Sequence, residues 1–213
     1  ESTMLKLRNS ATSPYVRKVR VLLLETGLED RVELIDTHVT PTTPNAELNV
    51  DNPIGKVPVL LTENGMALYD SPVICEYLDS QHSGIKMFPV NGVSRWLALR
   101  HQALGDGLLD AAILGRYEST LRPAVKLWQD WLDAQIGKID RSLDTMEAEA
   151  LQLEGVINIG TITIACALGY LDFRYSEMNW RTERPALTAW YDDFSRRPSM
   201  VATVAPNADP LER

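Results

Sequence analysis

Apolar residues recur along this chain with two periods, and one gives way to the other near residue 92. In residues 4–8 apolar and polar side chains alternate, with Leu5 and Leu7 on one face, which predicts a half-buried strand. Small polar residues at 9–12 predict a loop. Ser13-Pro14 then opens a helix: serine accepts from an unpaired N–H of the first turn, and proline lacks the N–H that would go unpaired there. Val16, Val19 and Leu23 follow at helical spacing, and Gly27 supplies a stop. Residues 32–35 predict a second strand, and residues 37–52, rich in Pro, Thr and Asn, a mostly irregular stretch. Residues 57–61 read as a buried strand, Asn64-Gly65 as a hairpin turn and residues 66–69 as the returning strand. Ser71-Pro72 repeats the capping device, and Ile74, Tyr77 and Leu78 form the apolar face of the helix behind it. A βαβ unit followed by a ββα unit predicts a small mixed sheet with helices packed on it.

Residues 81–92 carry Gly, Pro, Asn and Ser and read as a linker. Beyond Val93 the pattern is helical throughout. Trp96, Leu97 and Leu104 start one stripe. Trp128, Trp131, Leu132 and Ile136 start another, which Leu143, Met146 and Ala150 continue, and both tryptophans are expected in the core. Ile162, Ala165, Cys166 and Gly169 lie in a run that is apolar nearly all round, which predicts the buried centre of a helical domain. Leu187, Trp190, Tyr191 and Phe194 form the last stripe. The expected organisation is a mixed α/β domain over residues 4–80, a linker over 81–92 and an all-helical bundle over 93–213. Residues 1–3 are set aside.

Composition narrows the partners. A formal charge of −8 over 213 residues argues against nucleic acid, which needs clustered Lys and Arg. Cys75 and Cys166 sit far apart in apolar runs and read as buried thiols of a reducing compartment rather than as a disulfide. No apolar stretch is long enough to span a membrane and the chain does not open on a signal peptide, so a cytoplasmic location is expected. His38, His82 and His101 are scattered without metal-ligand spacing, so no metal is expected.

Three short segments carry the chemistry jointly: Ser13-Pro14-Tyr15-Val16-Arg17, Asn52-Pro53-Ile54-Gly55-Lys56-Val57-Pro58, and Tyr69-Asp70-Ser71-Pro72. Two of them are helix N-termini, whose free N–H groups and partial positive charge favour an anion. A thiolate at the Ser13 end would accept from the hydroxyl and feel the dipole, and both effects lower a thiol pKa. Ser10 and Thr12 remain alternatives for that hydroxyl. At the Asp70-Ser71 end a ligand carboxylate suits the serine and an ammonium suits the aspartate, the charge pair of an α-amino acid. Pro58 cannot donate to a ladder, and a cis bond before it would turn the Val57 amide outward to pair with an extended peptide. A short peptide with an α-amino acid end, a middle amide and a thiol satisfies all three; glutathione is that peptide.

These segments resemble the glutathione transferase family in its bacterial and theta-, zeta- and omega-like branches. Ser13 falls where that family has its catalytic Ser or Cys, Asn52 to Pro58 matches the segment ending in its cis-proline, and Asp70-Ser71 matches the pair that holds the γ-glutamyl end, where Glu is commoner than Asp. The stretch over 158–174 resembles the family's central C-terminal helix, with Asn158 and Thr161 where Ser or Thr and Asp are usual. The resemblance covers nearly the whole chain. It implies a thioredoxin-like domain that binds glutathione through Ser13, Val57, Pro58, Asp70 and Ser71, with Ser13 catalytic, followed by a helical domain. It further implies conjugation of glutathione, as co-substrate, to a hydrophobic electrophile in a detoxifying homodimer.

In this family the helix bearing Asp106, Asp110 and Tyr117 lines the electrophile pocket, whereas an Asp on a helix otherwise reads as a solvent-facing charge. His38 reads as a solvated loop residue, with a contact to the glycine end as the alternative. Ser13 stands where a thioredoxin carries a cysteine, which argues against disulfide exchange. Thr12-Ser13-Pro14 departs from the Ser-Ser-Cys start of the zeta-like isomerases. A non-catalytic glutathione-binding stress or regulatory protein on the same fold is the competing expectation.

Overall fold

The structure, a computed structural model, describes residues 4–206; residues 1–3, set aside above, and residues 207–213, the end of the expected helical domain, lie outside the described residues. In chain order the elements are β1 (Leu5–Asn9), α1 (Pro14–Thr26), β2 (Val32–Asp36), α2 (Ala46–Asp51), β3 (Val59–Leu61), β4 (Ala67–Leu68) and α3 (Ser71–Asp79), then α4 (Gly92–Thr120), α5 (Gln129–Ala148), α6 (Ala150–Leu153), α7 (Ile159–Arg174), α8 (Pro185–Phe194) and α9 (Pro198–Val201). Among the described residues they divide into two compact units, one of residues 4–90 with 198–206, the other of Asn91–Arg197.

In the first unit the strands lie in the order β2-β1-β3-β4. β1 runs parallel to β2 and antiparallel to β3, and β4 is antiparallel to β3. Leu5, Leu7 and Asn9 are buried on one face of β1, as strand alternation requires. Helix α1 starts where Ser13 Oγ accepts the Val16 N–H at 3.2 Å and stops where Gly27 adopts φ 68°, with the Leu28 N–H reaching back to the Leu23 carbonyl at 2.9 Å. The hairpin turns through Gly65 at φ 82°, closed by the Thr62 N–H on the Met66 carbonyl at 2.9 Å.

Three details depart from the sequence pattern. The stretch expected to be mostly irregular contains α2, capped by Asn45 Oδ1 on the Leu48 N–H at 3.1 Å. Only Leu48 of its residues is buried, so it leaves no apolar period to read. Arg8 holds it to β1, donating from Nε and Nη2 to Asp51 Oδ2 at 2.9 and 2.7 Å. The third strand begins at Val59 rather than at 57, and the N-cap of α3 is Asp70 rather than Ser71, which is the first helical residue. After α3 the Asp79 carboxylate accepts the Met87 and Phe88 N–H groups, both at 2.9 Å, so the expected linker is pinned to the first unit. Near the end of the chain α9 is tied to α1, because Arg17 donates to the Met200 carbonyl at 2.9 Å and to Thr203 Oγ1 at 3.1 Å.

The second unit is built round α7, whose residues are buried almost continuously from Ile159 to Leu171. Its start carries a complete reciprocal cap. Asn158 Oδ1 accepts from Gly160 and Thr161 at 2.9 and 3.1 Å, and Thr161 Oγ1 accepts the Asn158 N–H at 3.0 Å. Against α7 lies α4, with backbones close enough that a Cβ on Gly105 would stand 2.7 Å from Thr163 Cγ2 and 3.0 Å from its carbonyl carbon. The stripe expected on α4 is out of phase: Trp96 is 68% exposed, and the buried face runs through Ala98, His101, Gln102, Gly105, Leu108 and Ala112. Close packing selects small residues at its start, so large apolar ones mark the face only from Leu108 and Leu109 onward. The expectation for Trp128 is likewise corrected, since it is 63% exposed at the cap of α5, where its N–H donates to Glu118 Oε1 at 3.0 Å and its carbonyl accepts the Leu132 N–H at 3.1 Å. Trp131 is half-buried.

Gly105→Ala forces a methyl into Thr163 and should destabilise the protein by about 1–3 kcal/mol in chemical denaturation. Gly107→Ala on the same helix, whose Cβ would meet nothing within 4 Å, should instead stabilise it by up to about 1 kcal/mol. Glu118 also accepts from Arg122 Nε at 2.7 Å, and the Trp128 N–H followed by Arg122 holds its carboxyl below the ordinary value of 4.5. A depressed folded value stabilises above the ordinary value and is lost as pH falls through the folded one. Glu118→Gln should therefore lower stability at neutral pH and flatten its decline below pH 4.5, as read from melting curves across pH.

Candidate glutathione site

Sheet register alone gathers the three segments singled out in the sequence. β1 ends at Asn9, and its antiparallel partner β3 begins at Val59, which pairs with Arg8. β4 is antiparallel to β3, with Leu60 opposite Leu68, so its C-terminal end lies at the N-terminal end of β3. The loop leading to Ser13, the Val57-Pro58 pair and the Tyr69-Asp70-Ser71 turn therefore all emerge at the same end of the strands. Parallel β2 ends there too, and His38 just beyond it is exposed.

At the start of α1, Ser13 is half-buried and its oxygen is engaged by the Val16 N–H, so the hydroxyl proton is what it can offer a ligand. The alternatives differ in kind: Ser10 and Thr12 stand 3.4 Å apart, hydroxyl to hydroxyl, so one of them can spend its proton on the other. This geometry favours Ser13 as a donor to an anion.

The middle segment is shaped by Asn52, which is buried. Its Nδ2 donates to the Lys56 carbonyl and its Oδ1 accepts the Ile54 N–H, both at 3.0 Å, and Gly55 turns the chain at φ 70°. The loop delivers a half-buried Val57 joined by a cis bond to a buried Pro58. Val57 lies outside the ladder that begins at Val59, which leaves its amide positioned to pair with an extended peptide.

At the start of α3 the first intrahelical bond runs from the Ile74 N–H to the Asp70 carbonyl, so the Ser71 and Val73 N–H groups have no carbonyl in the helix to reach. The Asp70 side chain makes no capping bond and is exposed, a free carboxylate for a ligand ammonium. Ser71 is buried, and its oxygen faces the ammonium of Lys18 at 3.3 Å. Lys18 is itself fully buried, a residue the sequence pattern passed over. Its signal was there: at position 18 it continues the buried face of α1 that holds Pro14 and Leu22, four residues to either side, where an apolar residue would be expected.

The residues weighed on the helical unit lie on α4. Burial pushes the Tyr117 phenol above its ordinary value, against Arg116, and the phenols of Tyr170 and Tyr175 on and just after α7 are raised for the same reason, Tyr175 to about 12. All three phenols therefore stay protonated at neutral pH and can serve only as neutral hydrogen-bonding groups. The described residues contain no cluster of three His, Cys, Asp or Glu able to hold a metal ion, and none of their helices is long and apolar enough to cross a membrane.

A four-stranded mixed sheet with helices, followed by a helical unit, is the glutathione S-transferase fold. Residues 12–81 match the family model of the glutathione S-transferase N-terminal domain and residues 129–193 that of the C-terminal domain. An Escherichia coli (strain K12) protein named as the uncharacterized GST-like protein YibF is 37% identical over 207 residues, 96% of this chain and 100% of its own. A glutathione transferase family member from Pseudomonas fluorescens Pf-5, solved with bound glutathione, is 50% identical, with a TM-score of 0.94 over 95% of this chain and 99% of its own. A glutathione S-transferase from Methylobacillus flagellatus, also with glutathione bound, is 32% identical with a TM-score of 0.85, over 95% of this chain and 100% of that one. The chain belongs to the glutathione S-transferase family.

Proposed function

We propose that the chain is a glutathione transferase that binds glutathione across the strand ends of its sheet and joins its thiolate to an electrophilic small molecule. The observation that carries this is Ser13, a hydroxyl at a helix N-terminus whose oxygen is occupied by the Val16 N–H and whose proton is left for an anion. In this reading the γ-glutamyl carboxylate takes the Ser71 hydroxyl and the N–H groups of α3, and the α-ammonium takes Asp70. The cysteinyl amide pairs with Val57 beside Pro58, and the thiol meets Ser13. The hydroxyl and the helix end favour the thiolate over the thiol, which lowers its pKa and raises the fraction of nucleophile at neutral pH. Fixing the sulfur in place supplies the rest of the rate. The bound glutathione of the Pseudomonas fluorescens and Methylobacillus flagellatus relatives supports the binding half of this reading. A hydrophobic electrophile, a homodimer, a role in detoxification and a cytoplasmic location belong to the same proposal, on family likeness.

Ser13→Ala tests the catalytic half. The bound thiol pKa should rise, moving the pH-rate profile to higher pH, and kcat/KM with a panel of aryl halides, epoxides and α,β-unsaturated carbonyls should fall on the order of tenfold or more. Glutathione affinity should be largely kept, while α1 loses about 1 kcal/mol of capping. An unchanged profile would remove Ser13 from the reaction. Tight glutathione binding by the wild type with no turnover of any electrophile would leave a non-catalytic binder on the same fold.

A further inference from the structure

A lysine ammonium with no exposure to water is uncommon, and Lys18 is one, 0% exposed on α1. It faces Ser71 Oγ at 3.3 Å, and Ser71 is 2% exposed at the first position of α3. Helices α1 and α3 pack on each other, so this bond joins the two helix starts at the strand ends from beneath. The chemistry fixes its direction. An ammonium carries three donors and no acceptor, so Ser71 must accept from it and the serine proton must point elsewhere. A methionine would fill the same volume without a buried charge, so packing alone does not call for lysine here.

We propose that Lys18 is a positioning residue for the γ-glutamyl carboxylate of glutathione, acting through Ser71: its Nζ donates to the serine oxygen and leaves the serine proton for the carboxylate. The inference rests on the glutathione reading above and adds to it the group that decides how the amino acid end is told from an uncharged one. A hydrogen bond to a charged acceptor is worth more than one between neutral groups, and a neighbouring cation strengthens it further. Lys18 thus acts on binding of the γ-glutamyl end and leaves the thiol chemistry at Ser13 untouched.

The test is calorimetric titration of the wild type, Lys18→Met, Lys18→Gln and Lys18→Arg with two ligands: glutathione, and its analogue with the γ-glutamyl α-carboxylate converted to a carboxamide. The wild type should prefer glutathione. Lys18→Met should weaken glutathione by about tenfold or more and leave the amide nearly unchanged, so the preference collapses. Lys18→Arg should restore most of it. Should Lys18→Met melt below the assay temperature, Lys18→Gln, which keeps a donor but not the charge, should show the same loss in part. In turnover Lys18→Met should raise KM for glutathione and keep kcat at saturation, unlike Ser13→Ala. In a Ser71→Ala background the lysine change should cost little more. Equal weakening of both ligands, an unchanged preference in the Met or Gln variant, or full additivity with Ser71→Ala would overturn the inference while the glutathione reading stands. A wild type that binds neither ligand would take both down.

Discussion

A serine oxygen that accepts a fixed hydrogen bond keeps its proton to give, and two such oxygens stand at the strand ends of the first unit. At Ser13 the fixed donor is the helix itself, through the Val16 N–H; at Ser71 it is a buried ammonium. Each hydroxyl accepts from a fixed donor and keeps its proton to offer an anion. In the proposed reading two of glutathione's anionic groups, the γ-glutamyl carboxylate and the thiolate, meet these two serines, which stand at the starts of two helices whose free N–H groups add to the same field.

The rest of the first unit keeps those helix starts in register. Antiparallel pairing of β1 with β3 and of β3 with β4 sends three chain segments out at the same end of the strands. Arg8 clamps α2 to β1 through Asp51, and Asn52, the next residue, shapes the turn that delivers Val57 and Pro58. Arg17, one residue before Lys18, reaches the other way to the Met200 carbonyl, so neighbouring cations on α1 hold different parts of the unit. The helical unit uses a different device, an approach of α4 to α7 so close that Gly105 and Gly160 leave no room for a Cβ.

Much of this was legible in the sequence, for physical reasons that also explain the gaps. The strand and helix order of the first unit, Gly27 as a stop and the hairpin at Asn64-Gly65 could be read because each depends on local chemistry: alternation, capping, and glycine's tolerance of positive φ. Helix α2 was missed because one buried residue, Leu48, makes no pattern. The phase of α4 was missed because the first half of its buried face, Ala98 to Gly105, is made of Ala, Gly, His and Gln, while Trp96 points to solvent and the buried leucines come only at Leu108 and Leu109. Of the candidate site, Ser13, Pro58 and Asp70-Ser71 stood out as turn and cap signals. Lys18 did not, because a lysine is expected at the surface and its partner is fifty-three positions away along the chain.

The most direct measurement of the central claim is the ionisation of glutathione's thiol while it is bound to the wild-type protein, followed by thiolate ultraviolet absorbance across pH. A donor hydroxyl and a helix N-terminus at the sulfur predict that the thiolate appears well below the pH at which free glutathione ionises. A bound thiol that titrates where the free one does would contradict the account.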